Sequence, residues 1–152
     1  MVPDDAPATG ALPDLSGWLG RNGTVVTSPA QRCRVEGADV LAELRPWDLG
    51  DWSGRDFSDV DLAAWRVDPS YDAHGGESLL ALHRRVGALL ATWQPRSGRL
   101  VAVTHAALIK AAVVVALRAP ADAAWDVDVA PGSQTELHAT PTGWRLVRVN
   151  AG

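Results

Sequence analysis

The chain has a single cysteine, Cys33, in 152 residues. No intramolecular disulfide can form, so a reducing, cytoplasmic setting is the expectation. It has a single lysine, Lys110, and every other fixed cation is an arginine. It also lacks a basic excess: the formal net charge is -4 and the sequence pI about 5.4. Bulk electrostatics therefore argue against nucleic acid or an anionic membrane as partner. A small anion stays compatible, because a local pocket can be positive on an acidic protein, and arginine is the better fork for phosphate or carboxylate. The N-terminal stretch MVPDDAPATGALPD has neither a basic n-region nor an apolar core, so no secretory signal is expected. The apolar run 100–117 is interrupted by His105 and Lys110 and reads as strand plus helix rather than as a membrane span. No P-loop, no GxGxxG and no metal-ligand spacing of His, Cys or carboxylates is found. Neither a metal nor an organic cofactor is expected.

What is present is ordinary for a folded protein: 47% hydrophobic and 21% charged residues. The length fits one domain over 1–152, with 1–13 as a loose arm. The pattern predicts a short helix at 15–19 and a β-branched strand at 23–27. Ser28-Pro29 offers an N-cap and an N1 proline, which predicts a helix over 29–44 weakened by Gly37. Residues 45–56 (RPWDLGDWSGRD) read as a loop. A short helix is expected at 59–67, and a second loop (SYDAHGGES) follows. Leu79, Leu82, Val86, Leu89, Leu90 and Trp93 form a helical stripe over 78–93. Residues 99–104 are apolar on both faces, as in a central parallel strand. A helix follows over 106–117, another at 120–125, and strands at 134–139 and 144–149 flank the turn TPTG. The order predicts a three-layer α/β/α fold with a mostly parallel sheet and an edge hairpin.

In such sheets ligands collect at the carboxyl ends of the strands, where helix N-termini favour anions. His105 stands where the strand 99–104 stops and the next helix starts. Arg32 follows the strand 23–27 at a distance from which it can reach back over that strand's end. If the two strands are close, Arg32 would clamp an anion's oxygens and His105 would donate a hydrogen bond, add charge, or act in proton or phosphoryl transfer. Each residue also has a plainer reading. An arginine in a first turn is more often a solvated surface residue, and a strand-end histidine is often a satisfied structural one. The loop with Trp47 and Trp52 reads equally as a lid on the core, His74 as a turn residue, and His83 and His138 as incidental.

Four stretches in this order, VVTSPAQRC, LRPWDLGDWSG, HGGESLLALHRRV and LVAVTHAALIKAAV, resemble the histidine phosphatase superfamily, the phosphoglycerate-mutase-like fold. The resemblance covers about residues 24–118 and looks closest to short phosphatase-like proteins of high-GC bacteria. It implies a phosphate pocket in which Arg32 is the arginine after a Ser-Pro step and His105 the histidine that ends a strand. Ala106 stands where the family usually has glycine, and Gly76-Glu77-Ser78 is the step that opens a helix. The family's nucleophile lies in an Arg-His-Gly triplet ending its first strand, and this sequence contains no such triplet. The usual general acid lies four residues before the glycine matched by Gly50, and that position is Pro46. Asp48 and Asp51 are the nearest carboxylates.

Three readings follow from the resemblance. The chain is a relative that keeps a partial pocket for a small phosphate ester or other anion, on Arg32 and His105, without efficient turnover. Alternatively, it is an active, metal-independent phosphomonoesterase with His105 as nucleophile or base and Asp48 as acid. Or the Met1 start lies downstream of the family's first strand, and an in-frame Arg-His-Gly codon triplet precedes it in the DNA. An absent first strand would expose backbone on its neighbour, and the arm, a repacked sheet or a homodimer would cover it.

Overall fold

The computed structural model describes residues 6–8, 10 and 12–152. Residues 1–5, 9 and 11 of the expected arm lie outside the described residues. The chain folds as α/β around a three-stranded parallel sheet. Strand β1 (Thr24–Thr27) is its centre, with β2 (Asp39–Val40) on one side and β3 (Leu100–Val103) on the other. The β1–β3 register runs from Thr24 opposite Leu100 to Thr27 opposite Val103. The β-branched run TVVT suits a pleated surface, and Val26 and Thr27 are its buried end.

The helices cover this sheet. Helix α1 is Ser16–Leu19, α2 Leu62–Val67, α3 Leu79–Trp93 and α4 Ala106–Ala116. Two of them start on side-chain caps. Asp61 accepts from the Ala64 N–H at 3.2 Å, and Ser78 accepts from the Ala81 N–H at 3.1 Å. The stripe read from the sequence is the buried face of α3, and it packs with Leu108, Ala111 and Val114 of α4. Leu82, Ala111 and Val114 are each about 1% exposed and mark the centre of the core.

Three expectations are corrected. No helix runs over 29–44: a 3₁₀ turn (Gln31–Cys33), β2 and a second 3₁₀ turn (Ala42–Leu44) replace it. Gly37 takes φ +77°, a left-handed turn that ends any helix there, and the chain behind it pairs with β1. The segment 120–125 is 3₁₀ (Ala121–Asp126) rather than α. The hairpin β4 (Gln134–Thr140) and β5 (Gly143–Ala151) does not extend the parallel sheet but forms a two-stranded sheet of its own.

The two central loops are zipped together. Asp51 N–H donates to His74 O at 2.8 Å, and Glu77 N–H to Asp48 O at 2.6 Å. Gly50 at φ +51° sits so close that an added Cβ would lie 2.1 Å from His74 O, so only glycine fits. Trp47, Trp65 and Trp125 interlock beside this zipper, with ring centroids 4.7–6.0 Å apart. Trp52 and Tyr71 flank the buried His74 ring, whose Nδ1 accepts from the Gly76 N–H at 2.9 Å. The tryptophan loop is thus part of the core, and His74 braces the turn.

Candidate anion site at the ends of β1 and β3

The parallel ladder continues one residue beyond β1, where the Ser28 N–H donates to Val103 O at 2.9 Å. This places the fully buried Ser28 beside His105, the residue that caps α4. The Ser28 Oγ also accepts from the Ala30 N–H at 3.2 Å. That local bond turns the chain into the Gln31–Cys33 3₁₀ turn. The turn carries Arg32 back over the sheet edge, and its Nη2 lies 3.3 Å from His105 Nδ1. The two residues singled out in the sequence therefore meet, although 73 positions separate them.

The proton assignment follows from donor chemistry. A guanidinium only donates, so Nδ1 must accept. The neutral ring then carries its proton on Nε2 and donates it to Ser28 Oγ at 2.8 Å. Burial, then the charge of Arg32, then that of Arg85 push the His105 pKa down to about 4. At neutral pH the ring is uncharged, with a lone pair on the side where Arg32 stands. Cys33 lies against the same ring, with its Sγ 3.8 Å from Nε2 and 4.0 Å from Nδ1. Burial pushes its thiol up from the ordinary value, so it stays protonated and poorly nucleophilic.

Asp48 is not in this cluster. Its exposed carboxylate accepts from the Gly50 N–H at 2.9 Å and so shapes its own loop. A second charged group was missed by sequence reasoning. Arg85 of α3 holds Glu77 in a two-pronged ion pair, with Nε to Oε1 and Nη2 to Oε2 both 2.8 Å. It also donates to the carbonyls of Glu43, Arg45 and Pro46. Glu77 lies outside the helix and eight residues from Arg85, so helical spacing gives no sign of the pair. Ser28 was legible only as a cap. Among the described residues no three His, Cys, Asp or Glu side chains gather as a metal-ligand set, and no helix is long and apolar enough to cross a membrane.

The depressed pKa has a consequence for stability. The unfolded chain binds a proton at His105 near pH 6.5, whereas the folded chain resists until about 4. Stability from this group is therefore complete above 6.5 and is lost as pH falls toward 4. The loss is on the order of 2 kcal/mol after allowance for the ring's partial exposure. Urea midpoints measured from pH 7 to pH 4 should fall less steeply in His105→Gln than in the parent chain. Equal slopes would refute the assignment.

Comparisons with known proteins agree with this fold. The profile of the histidine phosphatase superfamily (branch 1) matches residues 20–152. Solved structures of mycobacterial glucosyl-3-phosphoglycerate phosphatase are similar. The form complexed with VO3 has 27% identity and a TM-score of 0.71, covering 85% of this chain and 76% of that one. The form with inorganic phosphate has 25% identity and a TM-score of 0.69, covering 84% and 76%. The alpha-ribazole phosphatase of Shigella flexneri, at 21% identity and a TM-score of 0.66 with 84% and 73% covered, shares the fold. No curated protein sequence matches the chain.

Proposed function

The chain belongs to the histidine phosphatase superfamily, and from that premise we propose that it binds a phosphate ester or another small anion on Arg32 and His105, with little turnover. One observation carries the reading: Arg32 Nη2 stands 3.3 Å from His105 Nδ1, at the carboxyl ends of two adjacent parallel strands. An anion that displaces the direct Arg32–His105 contact receives the guanidinium fork on one side. On the other it meets a ring that becomes a second donor once the anion's charge favours protonating it. The relatives solved with phosphate and with VO3 support this ligand class.

Weak catalysis is inferred from the residues the chain has. It contains no Arg-His-Gly triplet, and the resemblance puts Pro46 where the usual acid would stand. With no such histidine among these 152 residues, they do not themselves supply the usual two-step route through its phosphorylated form. Electrostatic stabilisation alone leaves catalysis weaker by several orders of magnitude.

A second reading is favoured by the tautomer. The Nδ1 lone pair of His105 faces Arg32, where a bound phosphorus would lie. Attack there would form the N–P bond and break the ester P–O bond. The departing alkoxide would need a proton, which Asp48 could deliver only after releasing the Gly50 N–H. Hydrolysis of p-nitrophenyl phosphate with EDTA present separates the readings. We expect no turnover above background in either the parent chain or His105→Ala. Turnover that disappears in the variant would establish the active reading instead.

A further inference from the structure

Ser28 is fully buried, and its hydroxyl has three polar neighbours. The Ala30 N–H donates to Oγ at 3.2 Å, and His105 Nε2 lies 2.8 Å away. Cys33 shares a side-chain hydrogen bond with the same hydroxyl. A hydroxyl offers two lone pairs and one proton. The Ala30 N–H and the His105 Nε2–H take the two lone pairs. The Ser28 proton is left for the Cys33 sulfur, a weak acceptor. Ser28 thus meets His105 as an acceptor, and Nε2 has to donate.

In the free site Arg32 enforces the same state from the other nitrogen. Its Nη2 stands 3.3 Å from Nδ1 and can only donate. An anion that takes the guanidinium for itself removes that restraint, while Ser28 stays in place. Nδ1 then turns a lone pair toward negative charge, which is repulsive. A proton added at Nδ1 cures this. The imidazolium would donate through Nε2–H to Ser28 and through Nδ1–H to the anion, and such charge-assisted bonds are about twice as strong as neutral ones. The other groups acting on the ring are Arg32 and Cys33 of the turn after β1, and Arg85 of α3, which is paired with Glu77.

Building on the anion reading above, we propose that Ser28 is a positioning residue of this site: it keeps His105 Nε2 a donor, so that an oxyanion binds together with one proton taken from solvent onto Nδ1. Neither the Ser28 oxygen nor the Cys33 sulfur touches the anion. They decide which nitrogen is free to meet it.

Sulfate is the probe, because it carries no proton of its own at about pH 5.5. The ligand-free ring, with its pKa at about 4, is neutral there as well, so any proton gained on binding comes from the buffer. Sulfate is titrated calorimetrically into the full chain in MES and in bis-Tris, and the difference in heat gives the protons taken up. About one proton per sulfate is expected, with affinity falling several-fold from pH 5.5 to pH 6.5. In Ser28→Ala the acceptor is gone, and a neutral ring can carry its single proton on Nδ1. Affinity should fall at least tenfold and the uptake should drop toward zero. Ser28→Thr keeps the hydroxyl and should keep the uptake near one. A weakened Ser28→Ala that still takes up one proton would show a merely structural serine and overturn the proposal. Should Ser28→Ala fail to fold, the ring nitrogen chemical shifts of His105 in the parent chain decide. A proton on Nε2 without sulfate and on both nitrogens with it supports the proposal, and a single proton on Nδ1 in the complex overturns it. Sulfate bound by the parent chain without proton uptake overturns it too, and leaves the anion reading standing. No sulfate binding by the parent chain removes both.

Discussion

Replacing Arg32 by alanine should weaken the binding of inorganic phosphate by about 10- to 100-fold in a calorimetric titration, the effect of losing a charge-assisted pair of hydrogen bonds. The argument rests on position. Arg32 is the guanidinium carried over the end of β1 by the Ser28–Ala30 turn, and it reaches His105 Nδ1. Arg32→Lys keeps the charge but loses the planar fork, so an intermediate affinity is expected. Arg34→Ala removes an exposed cation two residues away and should leave the affinity unchanged. A further readout separates a binding role from a structural one. Because the Arg32 charge helps hold the His105 pKa down, the histidine pKa measured by NMR should rise in Arg32→Ala. Phosphate affinity equal in parent and Arg32→Ala, or absent from both, would remove the anion site.

The meeting of Arg32 and His105 was legible in the sequence because both sit at strand ends, and strand ends are marked by local signals. The β-branched run before Ser28-Pro29 and the apolar run before His105 each announce where a strand stops. Adjacent parallel strands then bring the two ends together, and the register from Thr24–Leu100 to Thr27–Val103 does so. Ser28 escaped notice as a partner of His105 because its own local bond to the Ala30 N–H is the cap-like bond the sequence suggests. Its contact across 77 residues has no local signature. The side-chain state of Asp48 was equally hidden. An aspartate two residues before a glycine reads as a free carboxylate, yet the bond to the Gly50 N–H is an ordinary turn device.

The fold was legible where periodicity is long. The α3 stripe runs over four turns and its buried face is the one expected. Residues 29–44 failed for the opposite reason. Ser28-Pro29 is a strong start signal, but no apolar stripe follows it, and a left-handed Gly37 with an extended Asp39–Val40 lets β1 recruit a neighbour instead. Nor could the sequence show that the hairpin stands apart from the parallel sheet, since strand partners across a sheet are set by long-range packing.

Arg85→Ala should cost about 3–5 kcal/mol of unfolding free energy, a large share of the roughly 5–15 kcal/mol that holds a domain of this size together. The pair it breaks is almost buried, with side chains 10% and 11% exposed for Arg85 and Glu77. Losing the arginine leaves the Glu77 carboxylate desolvated without its counter-charge, and the carbonyls of Glu43, Arg45 and Pro46 without their donor. These carbonyls belong to the segment that enters the tryptophan loop, and Glu77 also receives the Trp47 indole N–H on its own carbonyl at 2.7 Å. The substitution therefore loosens the loop zipper as well as the ion pair. Removing both partners should be less harmful than removing the arginine alone, because no buried charge is then stranded. Urea unfolding of Arg85→Ala, Glu77→Ala and the double variant measures this directly. A double variant that loses as much as the two single losses added together would mean that the pair contributes nothing beyond its separate side chains. The loops over the sheet edge would then be held by the Asp48–Glu77 and Asp51–His74 main-chain bonds and the Trp47–Glu77 bond.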